Sequence, residues 1–260
     1  MALFQKQVTA KKALGQHFLK DLSIAAQIAD SLPPTEAPRK VLEVGPGMGV
    51  LTNFLLKKNL DLRVVEIDRE SVAYLKANVK ELEGRIIEGD FLRLNLPEYL
   101  DEQGAVIGNF PYNISSQILF HCLDHKEVVE SVVGMFQKEV AERLAAKHGN
   151  KTYGIISVLL QTYYDIEYLF TVHEHVFSPP PKVKSAVIRM TRKSNVELPV
   201  PYAVFRNVVK TGFNQRRKTL RNALKPIIAG REFHHPFLDL RAEQLSIQDF
   251  ADLSVCLQNL

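Results

Sequence analysis

Cysteine is scarce: Cys122 and Cys256 are the only two among 260 residues. Two isolated thiols build no disulfide framework and suit a reducing compartment. Long apolar runs are missing as well. Hydrophobic residues make up 46% of the chain, yet no stretch reaches the ~18 consecutive apolar residues of a membrane helix, so a soluble protein without membrane association is expected. Residues 1–6 lack the apolar core of a secretory signal, which points to the cytoplasm. Metal-ligand clusters are wanting too. His121, Cys122 and His125 share one helical pattern with no further ligand pair beside them, and His173-Glu174-His175 and His234-His235 stand alone. No metal site is expected from them. There is no internal repeat and no low-complexity tract, which removes solenoids and disordered tails from consideration.

Acids are absent where they would matter most for a nucleic-acid partner. The net charge is only +4, but residues 1–20 hold four lysines and no acid, and residues 182–231 hold 13 Lys and Arg against the single acid Glu197. The remainder of the chain is therefore acidic. Such segregation predicts a polyanion groove rather than general solubility. Candidate phosphate contacts are Lys11 and Lys12 in the first segment and Lys182, Lys210, Arg216, Arg217, Lys218 and Arg221 in the second. If residues 207–225 form one helix, Lys210, Asn214, Arg217, Arg221 and Lys225 share a face, beside an apolar stripe of Val209, Phe213, Leu220 and Leu224. A break near Gln215 would split that stripe.

What the chain does have is a succession of strand patterns that end in polar residues. Lys40-Val41-Leu42-Glu43-Val44 runs into Gly45-Pro46-Gly47-Met48-Gly49 and then a helical pattern. Strand, glycine turn and helix let backbone approach a ligand closely. The second strand pattern ends at Glu66, placed to accept hydrogen bonds from both hydroxyls of a ribose. The third ends at Glu88-Gly89-Asp90, and Asp90 is a candidate acceptor for an adenine amine. A single acid of this kind is as readily a helix cap or a solvated charge; three at successive strand tips read better as one ligand crevice. The glycine spacing differs from that of dinucleotide folds and no arginine immediately follows Glu66 to take a 2′-phosphate, so a methyl donor fits better than a nicotinamide.

The fourth strand pattern, Ala105-Val106-Ile107, stops at Gly108-Asn109-Phe110-Pro111-Tyr112. Read chemically, the Asn109 amide oxygen accepts from an exocyclic amine. The Phe110 carbonyl, fixed by Pro111, is a second acceptor. Tyr112 offers a stacking face. An adenine N6 lone pair is delocalised into its ring, and two acceptors on its hydrogens favour the pyramidal geometry that frees it. The alternative is a plain strand-to-helix turn with Asn as cap and Pro at the first helical position.

Taken together, Gly45-Pro46-Gly47-Met48-Gly49, Glu66, Asp90 and Asn109-Phe110-Pro111-Tyr112 resemble the S-adenosylmethionine-dependent rRNA adenine N6,N6-dimethyltransferase family. Lys12-Ala13-Leu14-Gly15-Gln16-His17-Phe18-Leu19 resembles that family's amino-terminal arm, Phe177-Ser178-Pro179-Pro180-Pro181-Lys182-Val183 its proline loop, and Phe213-Asn214-Gln215-Arg216-Arg217-Lys218-Thr219 its bacterial small-subunit branch. His17 stands where many members have Asn, and Phe110 where others have Leu, Ile or Pro.

The resemblance implies S-adenosyl-L-methionine as methyl donor, bound by His17, Leu19, Gly45, Gly47, Glu66, Asp90 and Asn109. It implies catalysis through Asn109, Phe110, Tyr112 and Phe177, with Phe177 stacking the target adenine opposite Tyr112. The implied partner is 16S rRNA within the small ribosomal subunit or its assembly intermediate, dimethylated at two adjacent adenosines in a hairpin loop near its 3′ end. A monomer is expected.

Helical patterns cover residues 51–58, 70–80, 114–125, 138–147 and 153–163, and strand patterns 129–136, 167–171 and 184–191. This alternation predicts a doubly wound, mostly parallel α/β sheet, the Rossmann-like methyltransferase fold, followed by a small all-helical carboxy-terminal domain. The Pro-containing stretch 196–201 reads as a linker, giving a catalytic donor-binding domain over 1–195 and a basic RNA-binding domain over 196–260.

Overall fold

The structure, a computed structural model, describes residues 8–35 and 38–260. Residues 1–6, read above for a signal segment, lie outside the described residues.

Nine strands and ten α-helices alternate along the chain: β1 (Phe18–Leu19), α1 (Leu22–Asp30), β2 (Arg39–Val44), α2 (Thr52–Leu55), β3 (Leu60–Glu66), α3 (Arg69–Asn78), β4 (Ile86–Glu88), β5 (Gly104–Asn109), α4 (Ser115–Asp124), β6 (Val129–Gln137), α5 (Lys138–Ala145), α6 (Ile155–Tyr163), β7 (Tyr164–Val172), β8 (Phe177–Ser178), β9 (Ser185–Arg192), α7 (Tyr202–Asn214), α8 (Leu220–Ala223), α9 (Lys225–Ile228) and α10 (Ile247–Gln258). Seven strands form one sheet in the order β4-β3-β2-β5-β6-β9-β7. The pairs β2–β3, β2–β5, β3–β4 and β5–β6 are parallel, and β6–β9 is antiparallel. This is the expected doubly wound, mostly parallel sheet.

The strands are apolar because both faces of a parallel sheet are covered. In β5 Ala105, Val106 and Ile107 are fully buried, and in β2 only Lys40 escapes burial. Chain order fixes the crevice. The chain leaves β2 outward through β3 and β4, then returns to place β5 on β2's other side, so strand order reverses between β2 and β5. Ligands bind at the carboxyl ends of strands at such a switch point. Those ends are Val44-Gly45 and Asn109.

The chain divides into two compact units, Met1–Ala141 with Glu167–Arg192, and Glu142–Ile166 with Lys193–Leu260. This corrects the expected boundary between 195 and 196: residues 142–166 belong with the carboxy-terminal helices. Within that second unit, the Gly149 amide donates to the Glu243 carbonyl at 2.7 Å and the Lys193 amide to the Tyr163 carbonyl at 2.8 Å. Tyr153 meets Phe213 edge-on at 6.1 Å, and Tyr163 meets Tyr202 at 5.8 Å. Helix α6 carries a regular apolar pattern that reads equally well as a sheet-covering helix, so sequence order alone assigns it to the wrong unit. The described residues after Arg192 contain no strand.

The expected helix over 207–225 is interrupted. α7 ends at Asn214, and Gln215 takes φ −117° and ψ 61°, outside the helical region. The apolar stripe survives in two pieces: Val209 and Phe213 on α7, Leu220 on α8 and Leu224 just after it are all buried.

Candidate active site

The glycine turn after β2 is held by the neighbouring strand. Gly45 donates its amide to the Val65 carbonyl at 2.9 Å, and Gly47 donates to Glu66 Oε2 at 3.1 Å. Glu66 Oε1 accepts from the Asp68 amide at 2.9 Å. The Glu66 side chain is buried, which pushes its carboxyl above the usual carboxylate range, while the Asp68 and Gly47 amides pull it back. An ionised carboxylate has about four lone-pair sites, so two amide bonds leave acceptors free. Gly47 has φ +56°, and a Cβ there would sit 2.9 Å from the Phe18 ring. Phe18 therefore lies directly over the turn. Nothing in the spacing of the sequence marks it, because its partner is 29 positions away.

At the tip of β4, the Gly89 amide donates to the Glu66 carbonyl at 2.9 Å. Asp90 Oδ1 caps a 3-10 turn by accepting from the Leu92 amide at 3.0 Å. Asp90 is thus both a cap and a cavity-wall acid, since Oδ2 makes only a long 3.8 Å approach to Arg93.

The turn after β5 is built on a buried ring. Phe110 is 1% exposed, meets Phe136 edge-on at 5.2 Å, and lies against Gly134, where a Cβ would overlap its ring. With its side chain sunk in the core, Phe110 presents backbone to the cavity. Asn109 donates from Nδ2 to the His17 carbonyl at 2.8 Å, which leaves Oδ1 as its free acceptor. The Tyr112 hydroxyl hydrogen-bonds Ser185 Oγ. Burial pushes the Tyr112 phenol up, and Ser185 pulls the other way. The Tyr112 and His17 rings stack at 5.5 Å with 29° between planes, and His17 Nδ1 lies 2.8 Å from the Pro179 carbonyl.

These groups enclose a cavity of about 310 Å³, lined by residues 13–18, 44–45, 47, 65–67, 89–92, 109–114 and 117. The size falls within the usual small-molecule range. It gathers His17, Gly45, Gly47, Glu66, Asp90, Asn109, Phe110 and Tyr112 as expected. The arm closing one side is a 3-10 turn, Lys12–Leu14, ended by Gly15 at φ +64°. Its Lys11 ammonium pairs with Asp68 and Glu70, and Gln16 Nε2 donates to Asp68 at 3.4 Å. The bond to Asp68 raises the Lys11 pKa; burial tends to raise Asp68, but Lys11 and its other donors hold it below the usual range.

Five expected roles need correction. Phe177 does not face the cavity: it is 1% exposed in the hydrophobic core with Leu19, Ile28 and Val187. β1 and β8 pair as Leu19↔Phe177 and Phe18↔Ser178, and alternation along a strand puts one pair inward and the other outward. Leu19 is buried for the same reason and lines only a small adjoining cavity with Glu43 and Met48. Lys11 spends its charge on Asp68 and Glu70. Arg216 donates to the Lys151 and Tyr153 carbonyls, and Arg221 donates to Asp239 Oδ1 from Nε at 3.1 Å and Nη2 at 2.7 Å. Lys12, Lys182, Lys210, Arg217 and Lys218 are exposed. A buried acid also went unremarked as a site residue. Glu43 is 1% exposed on β2, and burial pushes it up to about 8, with the charge of Glu66 adding to this.

A parallel sheet with a glycine turn, acids at the next two strand tips and an Asn-Phe-Pro-Tyr turn at the switch point define a Rossmann-like methyltransferase. Residues 7–259 match the family described as ribosomal RNA adenine dimethylase, and the chain belongs to that family. It is 58% identical over 251 residues to ribosomal RNA small subunit methyltransferase A of Cytophaga hutchinsonii, covering 96% of this chain and 97% of that one. It is 58% identical over 253 residues to the protein of the same name from Parabacteroides distasonis, covering 96% and 95%. Among solved structures, a dimethyladenosine transferase from Plasmodium falciparum superposes with a TM-score of 0.73 at 25% identity, covering 93% of this chain and 97% of that one. The 23S rRNA methyltransferase ErmE shares the fold with a TM-score of 0.65 at 24% identity, covering 90% and 98%.

Proposed function

We propose that this chain uses S-adenosyl-L-methionine to dimethylate N6 of two adjacent adenosines in a hairpin loop near the 3′ end of small-subunit 16S rRNA. One observation carries the reading. Asn109 has its amide nitrogen engaged by the His17 carbonyl, so its oxygen is left to accept from an exocyclic amine at the cavity wall.

The cavity suits the donor. Gly45 and Gly89 line it, and a Cβ at either would meet nothing within 4 Å, so backbone borders open space. Glu66 offers its remaining lone pairs to vicinal ribose hydroxyls, and Asp90 offers Oδ2 to an adenine amine. When bound, S-adenosylmethionine supplies an electrophilic sulfonium methyl group. The chain's own residues prepare the nucleophile. Asn109 Oδ1 and the Phe110 carbonyl accept the two hydrogens of N6 and localise its lone pair. As N6 becomes cationic, the same two dipoles stabilise it. The surplus proton is then acidic enough to leave to water, so no strong base is required. Tyr112 stacks the extruded base, and extrusion is least costly in a loop.

We assign donor binding and chemistry to the first unit and backbone binding to the exposed cations Lys12, Lys182, Lys210, Arg217 and Lys218. Every group in this reading comes from a single chain, consistent with a monomer acting on the subunit or its assembly intermediate in the cytoplasm. The relatives named above as small-subunit methyltransferases support that target over the large subunit. Incubation with labelled methyl donor and undermodified small subunits, followed by mapping, tests it. Label is expected as N6,N6-dimethyladenosine at two adjacent loop positions. Label in large-subunit RNA, or none in RNA, would overturn the reading.

A further inference from the structure

We propose that His17 is the second platform for the target adenine, forming with Tyr112 a two-sided clip. The inference rests on the adenine reading of the Asn109 turn. A flipped base gains most when both faces are covered, and Phe177 cannot cover one, because it is 1% exposed in the core and lines no part of the cavity. His17 is the ring that does lie against Tyr112, at 5.5 Å and 29°.

The His17 main chain is fixed to the catalytic side chain, since its carbonyl accepts from Asn109 Nδ2 at 2.8 Å. Its ring is held separately, by the Pro179 carbonyl 2.8 Å from Nδ1. A carbonyl only accepts, so Nδ1 carries the hydrogen. The ring can therefore turn about its side-chain bonds at the loss of one hydrogen bond, while the contact to Asn109 stays.

The spacing fits a clip that opens slightly. Two stacking steps of about 3.4 Å span roughly 7 Å. The present 5.5 Å separation falls short by roughly 1.5 Å, a shift within reach of side-chain rotation. The clip then holds the base next to the free Asn109 oxygen, so ring and acceptor are positioned by one residue pair. A rival arrangement is a plug, in which His17 merely covers Tyr112 and must leave before RNA enters. The two predict opposite signs on removal of the ring.

The test compares the full-length parent with His17→Ala and His17→Phe on a target RNA hairpin and on small subunits. Methylation kinetics, donor affinity by calorimetry and thermal melting are read for each. The clip predicts that His17→Ala loses about tenfold or more in kcat/KM for RNA, the size of one lost base stack. It predicts donor affinity within about twofold of the parent and recovery to within a few-fold by His17→Phe. An Ala variant as active as the parent or more so establishes the plug and overturns the clip. So does an equal loss of donor affinity in both variants, which would assign His17 to donor binding alone. If the parent itself methylates no adenine, the functional reading fails, and that result is distinct from either variant outcome.

Discussion

Glu66, Asp90 and Asn109 in the first unit stand at strand ends, and the parallel register sets where each one points. The arginines and lysines of the second unit hang from helices and turns, where neighbours of the same type have different fates. Arg216 braces the Lys151 and Tyr153 carbonyls, Arg221 is held by Asp239, and Arg217 and Lys218 between them are exposed. A strand tip gives a polar residue one direction to face. A basic run gives each residue a choice between solvent and an internal partner, and only folding decides it.

The largest effect expected on that contrast comes from the core beneath the site. Phe177→Ala should lower stability by ~3–5 kcal/mol, the cost of emptying a buried aromatic position. For a chain of this size the melting midpoint should fall by roughly 6–20 °C. Methylation measured well below the melt should recover. Persistent loss of turnover in a folded variant would return Phe177 to the site.

The buried acid below the glycine turn should give the next effect. Glu43 is raised to about 8 in the folded chain against an unfolded value near 4.3. Between those values the folded state holds the extra proton, so stability is full below the lower one and falls as pH rises to the upper one. Glu43→Gln should remove most of that decline, on the order of a few kcal/mol between pH 5 and 8. Denaturant melts across that range check it; identical slopes for both proteins would place an ionised Glu43 in the fold.

Donor affinity sharpens the strand-tip side. Glu66→Ala should weaken S-adenosylmethionine by ~1–3 kcal/mol in calorimetry, through lost hydrogen bonds to a charged acceptor. Equal affinities would sink the ribose assignment.

The smallest effects lie in the basic unit, where they test the contrast directly. Arg217→Glu with Lys218→Glu should flatten the salt dependence of RNA binding by ~0.7–0.9 log units of slope per lost phosphate contact. Arg216→Ala should leave the slope unchanged and cost about 1 kcal/mol of stability, as two partly exposed hydrogen bonds are lost. A slope that responds to Arg216 and ignores Arg217 would invert the assignment.

The sheet was legible because four apolar runs each stop at a polar or glycine residue, and buried parallel strands carry continuous apolar sequence. The donor crevice was legible for the same reason. What escaped was set by contacts far apart in sequence. Phe110 works through its backbone because Gly134 makes room for its ring, and neither residue announces the other. Phe177 turns inward because a two-residue ladder pairs it with Leu19, too short a strand to show alternation. Helix α6 joins the carboxy-terminal helices although its pattern suits a sheet cover as well. The stop at Gln215 interrupts a stripe whose period continues across it.

The central claim is that the free Asn109 oxygen prepares the adenine amine without helping to bind the donor. Single-turnover methylation of small subunits by Asn109→Ala, at saturating donor and with donor affinity measured alongside, tests it most directly. Methyl transfer should slow by ~10²-fold or more, the size seen on losing one placed dipole, with donor affinity within a few-fold of the parent. Transfer within a few-fold of the parent rate, or a loss accounted for by weaker donor binding, would contradict the claim.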